Sequence, residues 1–156
     1  MMRKDKKRFK VAMIGHKRVP SREGGIEVVV EELSVRMVER GLKVDVYNRK
    51  DRFGKAYKQP REYKGIRIIQ IPTFKVSALN AFVYSVLASF RALFGGYDCI
   101  HYHAEGPCAM MWLPKLFGIH TVATIHGLDW QRAKWGGFST KYLKLGEKCA
   151  SKYADE

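Results

Sequence analysis

Cysteine is scarce in this chain, with three in 156 residues, and none of them belongs to a Cys-x-x-Cys pair. Cys99, Cys108 and Cys149 are odd in number and widely spaced, which argues against a disulfide framework or a cysteine zinc site and fits a reducing compartment. Acidic residues are also few: 15 Asp and Glu face 29 Lys and Arg, a formal charge of +14. That excess implies an anionic partner, whether nucleic acid, an anionic membrane surface or a phosphorylated ligand, without choosing among them. Long apolar runs are missing. The best candidate, Ala78 to Phe94, contains Asn80, Ser85, Ser89 and Arg91, so it predicts a buried or surface-lying helix and not a membrane span. No signal peptide is expected, because the apolar stretch Val11 to Gly15 after the basic start is too short for one. There is no Gly-x-x-x-x-Gly-Lys-Ser/Thr, no Gly-x-Gly-x-x-Gly at the first turn and no Gly-x-Ser-x-Gly. No Ser-His-Asp constellation can be assembled, so hydrolase chemistry has no support.

What is present is 46% hydrophobic residues in about one domain's length of chain, enough to bury a core. The most informative stretch runs from Phe9 to Gly41. Phe9 to Gly15 is a short apolar run that reads as a buried strand. From Ile26 the period changes: Ile26, Val29, Val30, Leu33, Met37 and Val38 recur at steps of three and four, a helix stopped near Gly41. Between them lies a basic loop with His16, Lys17, Arg18 and Arg22, ending in Gly24-Gly25. A strand, a glycine turn and a helix start make a ready anion site, since the first N–H groups of a helix lack internal partners and its dipole favours negative charge. The same glycines would serve equally as a tight turn among solvated basic residues.

Further along, Lys43 to Tyr47 alternates as a second strand, Asn48 to Arg61 reads as a polar loop, and Ile66 to Pro72 as a third strand. Ser77 to Phe94 reads as a helix, Cys99 to His103 as a strand, and Glu105 to Phe117 as a helix with a bend or early stop at Pro114. Ile119 to Ile125 is another strand, ending at His126-Gly127. A polar and aromatic loop, Leu128 to Gly137, leads to a last helix from Ser139 to about Tyr153. Residues 1–8 form a basic tail and 9–156 one α/β domain, an open, mostly parallel sheet with helices on both faces. In such sheets ligands bind outside the carboxyl ends of the strands. The loops after the first strand, after His103 and after His126 all fall at that edge. The helix Lys144 to Asp155 runs to the chain end with no strand after it, so a larger protein of about twice this length is expected.

His101 and His103 share one strand face, but no third ligand accompanies them and no metal is expected. His103, at the strand end, is the better placed to reach a ligand. His126 follows an apolar strand directly, with Asp129 and Arg132 in the loop beyond. Trp130 and Trp135 interleave there with basic residues, in a pattern suited to stacking on a sugar or base or to a packed lid. Glu27, Glu31 and Glu32 suit the helix dipole.

Two ordered blocks carry a resemblance. A strand ending at Gly15, Pro20, Gly24-Gly25-Ile26-Glu27, Val30-Glu31-Glu32-Leu33 and Arg40 to Tyr47 resemble the amino-terminal half of retaining glycosyltransferases of the two-domain GT-B architecture. The block Thr124 to Gly136 resembles the rhamnosyltransferase-like subgroup of glycosyltransferase family 4, which builds bacterial cell-surface polysaccharide. The resemblance implies a Rossmann-like half of a GT-B fold, with the carboxyl-terminal nucleotide-sugar domain outside these residues. It implies transfer of a hexose or deoxyhexose, rhamnose included, from a nucleotide sugar to a lipid-linked or polysaccharide acceptor, with no metal cofactor. Gly24, Gly25 and Glu27 match the loop beside the donor diphosphate, and His126 matches the histidine near the reacting carbon. His16, Arg18, Arg22, His103, Asp129 and Arg132 are assigned to the acceptor side of the cleft from charge and position. A cytoplasmic enzyme peripheral on the inner face of the plasma membrane is expected, with these residues inactive alone. The rival readings are a non-catalytic nucleic-acid-binding domain, which only the charge favours, and a stand-alone nucleotide-binding module.

Overall fold

The computed structural model describes residues 7–51, 59–73, 77–127 and 136–156. Its strands are β1 (Lys10–Ile14), β2 (Lys43–Asp51), β3 (Glu62–Tyr63), β4 (Ile66–Thr73), β5 (Cys99–His103) and β6 (His120–Thr124). Its helices are α1 (Gly25–Glu39), α2 (Ser77–Leu93), α3 (Glu105–Cys108), α4 (Trp112–Leu116) and α5 (Gly137–Tyr153). The strands form one sheet in the order β3-β4-β2-β1-β5-β6. Every pairing is parallel except that of β3 with β4.

The sheet is covered on both faces because its central strands are apolar on both. Val11 and Met13 of β1 join Val44, Val46, Ile66 and Ile68 under α1, whose Val30 completes the cluster. Ala12 and Ile14 point the other way. They pack with Tyr47, Ile100, Tyr102 and the small buried residues of α2, together with Cys108 and Ala150. A strand buried on both sides reads as a continuous apolar run instead of an alternating one, as Val11 to Ile14 does.

Local chemistry sets the ends. Past Glu39, Gly41 adopts φ +89; its N–H donates to Val38 O and that of Leu42 to Met37 O, closing α1 with the paired bonds of a left-handed glycine cap. Lys64 (φ +47) and Gly65 (φ +77) make a two-residue turn between β3 and β4, whose backbone twist suits a hairpin.

Three expectations need correction. The stretch expected as a loop from Asn48 begins as strand: β2 continues to Asp51, with Asn48 opposite Gln70 and Asp51 opposite Thr73. Polar side chains do not prevent this, because β4 supplies backbone partners along the whole length. The short β3, just after that stretch, was not expected. The single helix from Glu105 to Phe117 is two short helices instead. Pro114 has no N–H to give Met110 O, which accepts from Leu113 N, and the N–H groups of Ala109, Met110 and Met111 each reach back only three residues.

Candidate functional site

Because β1, β5 and β6 are parallel neighbours, their carboxyl ends lie side by side, and the chain reverses tightly there. Gly15 follows β1 at φ +130, and a Cβ at that position would sit 1.9 Å from His103 O. Only glycine lets the first turn press against the end of β5. Gly15 N donates to Tyr84 Oη at 3.0 Å, and the same hydroxyl donates to Tyr47 O at 2.6 Å, so α2 holds the turn from beneath. After His103, Ala104 takes φ +73, a conformation that costs an alanine energy. Its N–H donates to Thr124 O, tying the end of β5 to that of β6.

The loop after Gly15 is held by buried polar groups. His16 is buried, and its Nε2 lies 2.9 Å from Asn48 Oδ1. The Asn48 amide has one orientation available: Val19 N donates to Oδ1 while Nδ2 donates to Val19 O and to Gln59 Oε1. His16 Nε2 is therefore the donor, and Nδ1, buried and unpartnered, holds the lone pair. Burial lowers the His16 pKa to about 4, against the Asn48 bond and Glu27, which raise it. His16 is thus a neutral pin of the loop interior, not a residue on its solvent face.

Glu27 lies in the first turn of α1, where it accepts from Lys17 N at 2.9 Å. A Cβ on Gly24 would meet its Oε2 at 2.1 Å. The carboxylate therefore fills the inner side of the glycine turn, and that is the physical reason for glycine at 24. Gly25 differs: a Cβ there meets nothing within 4 Å, so the start of α1 is open on that side. The N–H groups preceding Val28, which bonds Gly24 O, have no partner inside the helix. Of the basic residues, Arg18 pairs with Glu23, and Arg22 with Glu31 at 3.2 Å and Glu32 at 3.6 Å. Glu31 is buried and also accepts from Tyr63 Oη at 3.1 Å, so favourable placement near a helix dipole is not its whole role.

Facing this loop is a file of three histidines. The His101 and His103 rings stack with centroids 4.1 Å apart, and His103 and His126 with centroids 5.4 Å apart. His101 Nε2 meets Thr124 Oγ1 at 2.7 Å, and His103 Nδ1 meets His126 Nε2 at 3.1 Å. His101 and His103 are buried while His126 is exposed, so the file runs from the sheet interior to the surface at the carboxyl edge. Burial, and next His126, lowers the His101 pKa to about 4. Burial, with His101, His16 and His126 behind it, lowers that of His103 to about 2. These two rings are uncharged at neutral pH. Among the described residues no three His, Cys, Asp or Glu side chains converge as metal ligands would.

The structure thus brings Gly24, Gly25, Glu27, His16, His103 and His126 to one edge, with Arg18 and Arg22 in ion pairs on the connecting loop. Asp129 and Arg132, with Trp130 and Trp135, lie outside the described residues. Sequence reasoning missed Asn48 and Tyr84. Asn48 gave no signal beyond its place in a polar stretch, but a tyrosine on an apolar helix face does signal a hydroxyl that needs a partner. Chemically, the edge offers an exposed imidazole, His126, for hydroxyl groups and an open helix start for an anion.

Comparison with known proteins bears on this arrangement. The chain is 30% identical over 126 residues to the D-inositol 3-phosphate glycosyltransferase of Thermobifida fusca, an alignment covering 68% of this chain and 28% of that one. Its fold matches sucrose-phosphate synthase from Thermosynechococcus elongatus with a TM-score of 0.66 at 20% identity, covering 95% of this chain and 41% of the other. The chain therefore spans well under half the length of either relative. The family model for Glycosyltransferase Family 4 matches residues 23–155, from the glycine turn to the last helix, and the chain belongs to that family.

Proposed function

We propose that these residues form the acceptor-side half of a retaining GT-B glycosyltransferase that moves a hexose or deoxyhexose from a nucleotide sugar to a lipid-linked or polysaccharide acceptor. The observation that carries this reading is the meeting, at one sheet edge, of the open start of α1 and the exposed His126. The first suits a diphosphate leaving group, because unpaired N–H groups and the helix dipole stabilise negative charge as it develops. The second stands where an imidazole can hydrogen-bond the sugar near its reacting carbon. Glu27 holds the glycine turn in shape, and an incoming anion approaches from the Gly25 side, away from that carboxylate. A second domain supplies most contacts to the nucleotide, no metal is required, and this half alone turns over negligibly. Rhamnose is the first donor sugar to try, from the resemblance of the block at Thr124 to Gly136. The name of the Thermobifida relative adds a phosphorylated inositol to the acceptors worth testing.

The lipid-linked acceptor draws support from α2, whose packing is inverted. Its buried side consists of Tyr84, Ser85, Ala88, Ser89 and Ala92, whereas Leu79, Phe82, Leu87, Phe90 and, just beyond it, Phe94 are exposed. Arg91 is exposed beside them. No helix among the described residues is long and apolar enough to cross a membrane. An outward apolar stripe on a strongly basic chain suits the headgroup region of an anionic bilayer, on the cytoplasmic face where nucleotide sugars are made.

The test is a screen of the full-length protein against uridine, guanosine and thymidine diphosphate sugars, with His126→Ala as the control. Product with retained anomeric configuration, lost by at least about a hundredfold in the variant, is expected. No transfer from any of these donors, or full activity of His126→Ala, overturns the reading. Sedimentation with vesicles should rise with anionic lipid content and fall in Phe90→Ser/Phe94→Ser. Binding insensitive to lipid charge removes the membrane part.

A further inference from the structure

The His103–His126 contact is specified further than its distance alone suggests. His103 is buried, and its Nε2 has no hydrogen-bond partner. A neutral ring carries one proton, which leaves two arrangements. With the proton on Nε2, His103 would bury an N–H with no acceptor, and Nδ1 would have to accept from His126 Nε2. The nearby His16 Nδ1 does not rescue this form: it is a lone pair, but it too lacks a partner, so the two nitrogens are not bonded to each other. With the proton on Nδ1, the only unsatisfied group is a lone pair. Orphaned buried N–H groups are rarer in folded proteins than under-satisfied acceptors, so the second arrangement is favoured. The 3.1 Å contact is a hydrogen bond in either arrangement, so the choice rests on the unpartnered Nε2.

We propose that His103 is a positioning residue that sets the tautomer of His126: it donates Nδ1–H to His126 Nε2, which leaves the His126 proton on Nδ1 and makes that nitrogen a hydrogen-bond donor to a sugar hydroxyl. The surroundings hold the donor ring in place. His101 stacks on its other face and is itself bonded to Thr124, and Ala104 ties the strand ends together immediately after it. Burial keeps His103 neutral, so it cannot switch to donating from both nitrogens. This is the logic by which a second hydrogen bond fixes the tautomer of a functional histidine. The sugar-binding role rests on the function proposed above, whereas the tautomer does not.

The test is long-range proton–nitrogen correlation NMR on the full-length protein labelled with 15N-histidine, at neutral pH and without ligand. In the wild type, His126 should show a protonated Nδ1 and a bare Nε2, with the same pattern in His103. His103→Asn places an amide donor close to the position of Nδ1 and should preserve the His126 pattern. His103→Leu removes the donor and should move the His126 proton toward Nε2, the form an unrestrained imidazole favours. A wild-type His126 protonated on Nε2 overturns the proposal without any variant being needed, as does an unchanged pattern in a folded His103→Leu. With a sugar donor in hand, His103→Leu should lower kcat/KM by about tenfold, the usual worth of one hydrogen bond, with recovery in His103→Asn. Full activity in His103→Leu would overturn the positioning role. Absence of transfer in every form would instead count against the glycosyltransferase reading, and the spectrum would still decide the tautomer.

Discussion

Helices α1 and α2 both show a helical apolar period in the sequence, yet they bury different kinds of residue. The deepest stripe of α1 is Glu27, Val30, Glu31 and Ser34, while its Val29 is exposed. The deepest stripe of α2 is Tyr84, Ser85, Ala88, Ser89 and Ala92, while Leu79, Leu87 and Phe90 face outward and Phe82 meets Tyr142 of α5 edge-on. In each helix polar groups of the deep stripe bond other elements, although Ser34 Oγ in α1 has no partner. Glu27 receives Lys17 N, and Glu31 receives Arg22 and Tyr63. Tyr84 supports the Gly15 turn, and Ser89 Oγ accepts from Tyr102 Oη. Apolar periodicity thus reports that a helix packs on something, but which of its residues lie deepest is decided by the polar partners that neighbouring elements supply. The large apolar residues of α2 are left for another surface.

The comparison can be broken most severely at the turn that both helices serve. Gly15→Ala would drive a Cβ into His103 O at a φ that alanine rarely adopts, and should cost on the order of 3 kcal/mol or more, read as loss of cooperative unfolding in urea. Gly24→Ala is the informative counterpart. Its Cβ meets the carboxylate of Glu27 and not backbone, so that side chain must move and its bond from Lys17 N is lost, at a cost of about 1–3 kcal/mol.

The next effect comes from acid. His16 and His101 titrate near 4 in the fold against about 6.5 unfolded, so between those values the unfolded chain binds protons that the native state does not. Stability should therefore be full above about pH 6.5 and fall toward pH 4, by roughly 1.4 kcal/mol per pH unit for each histidine at the steepest part. Urea midpoints across that range check the sign, and a flat profile would show that these rings are not buried neutral.

Within α2 the two faces should respond in opposite ways. Ala88→Leu overpacks the buried side and should cost about 1–3 kcal/mol, and Tyr84→Phe, which strips a partner from two buried backbone groups, a similar amount. Phe94→Ser on the exposed side should change thermal stability by no more than about 0.5 kcal/mol. A large loss from Phe94→Ser would mean that the outward stripe is packed against another part of the protein and is not available to a bilayer.

Much of this molecule was legible before its structure. The mostly parallel sheet and the meeting of three loops follow from alternating elements, because parallel strands need crossovers and crossovers put their carboxyl ends on one side, whereas the strand order came from the fold. His126 and the glycine pair could be placed there from position alone. The two short helices at Glu105–Cys108 and Trp112–Leu116 could not, since the break depends on where each carbonyl finds a donor. Asn48 was lost because a polar run does not reveal that a neighbouring strand will pair with it.

The sequence by itself determined most of the elements and the edge at which the histidines and the glycine pair meet, because periodicity, glycine and proline act over a few residues of backbone. Only the tertiary structure decided which side of each helix lies deep, which residues hold the glycine turn, and how His103 is coupled to His126. Those are contacts between residues distant in the chain, and their energies depend on burial and on partners that no local pattern records.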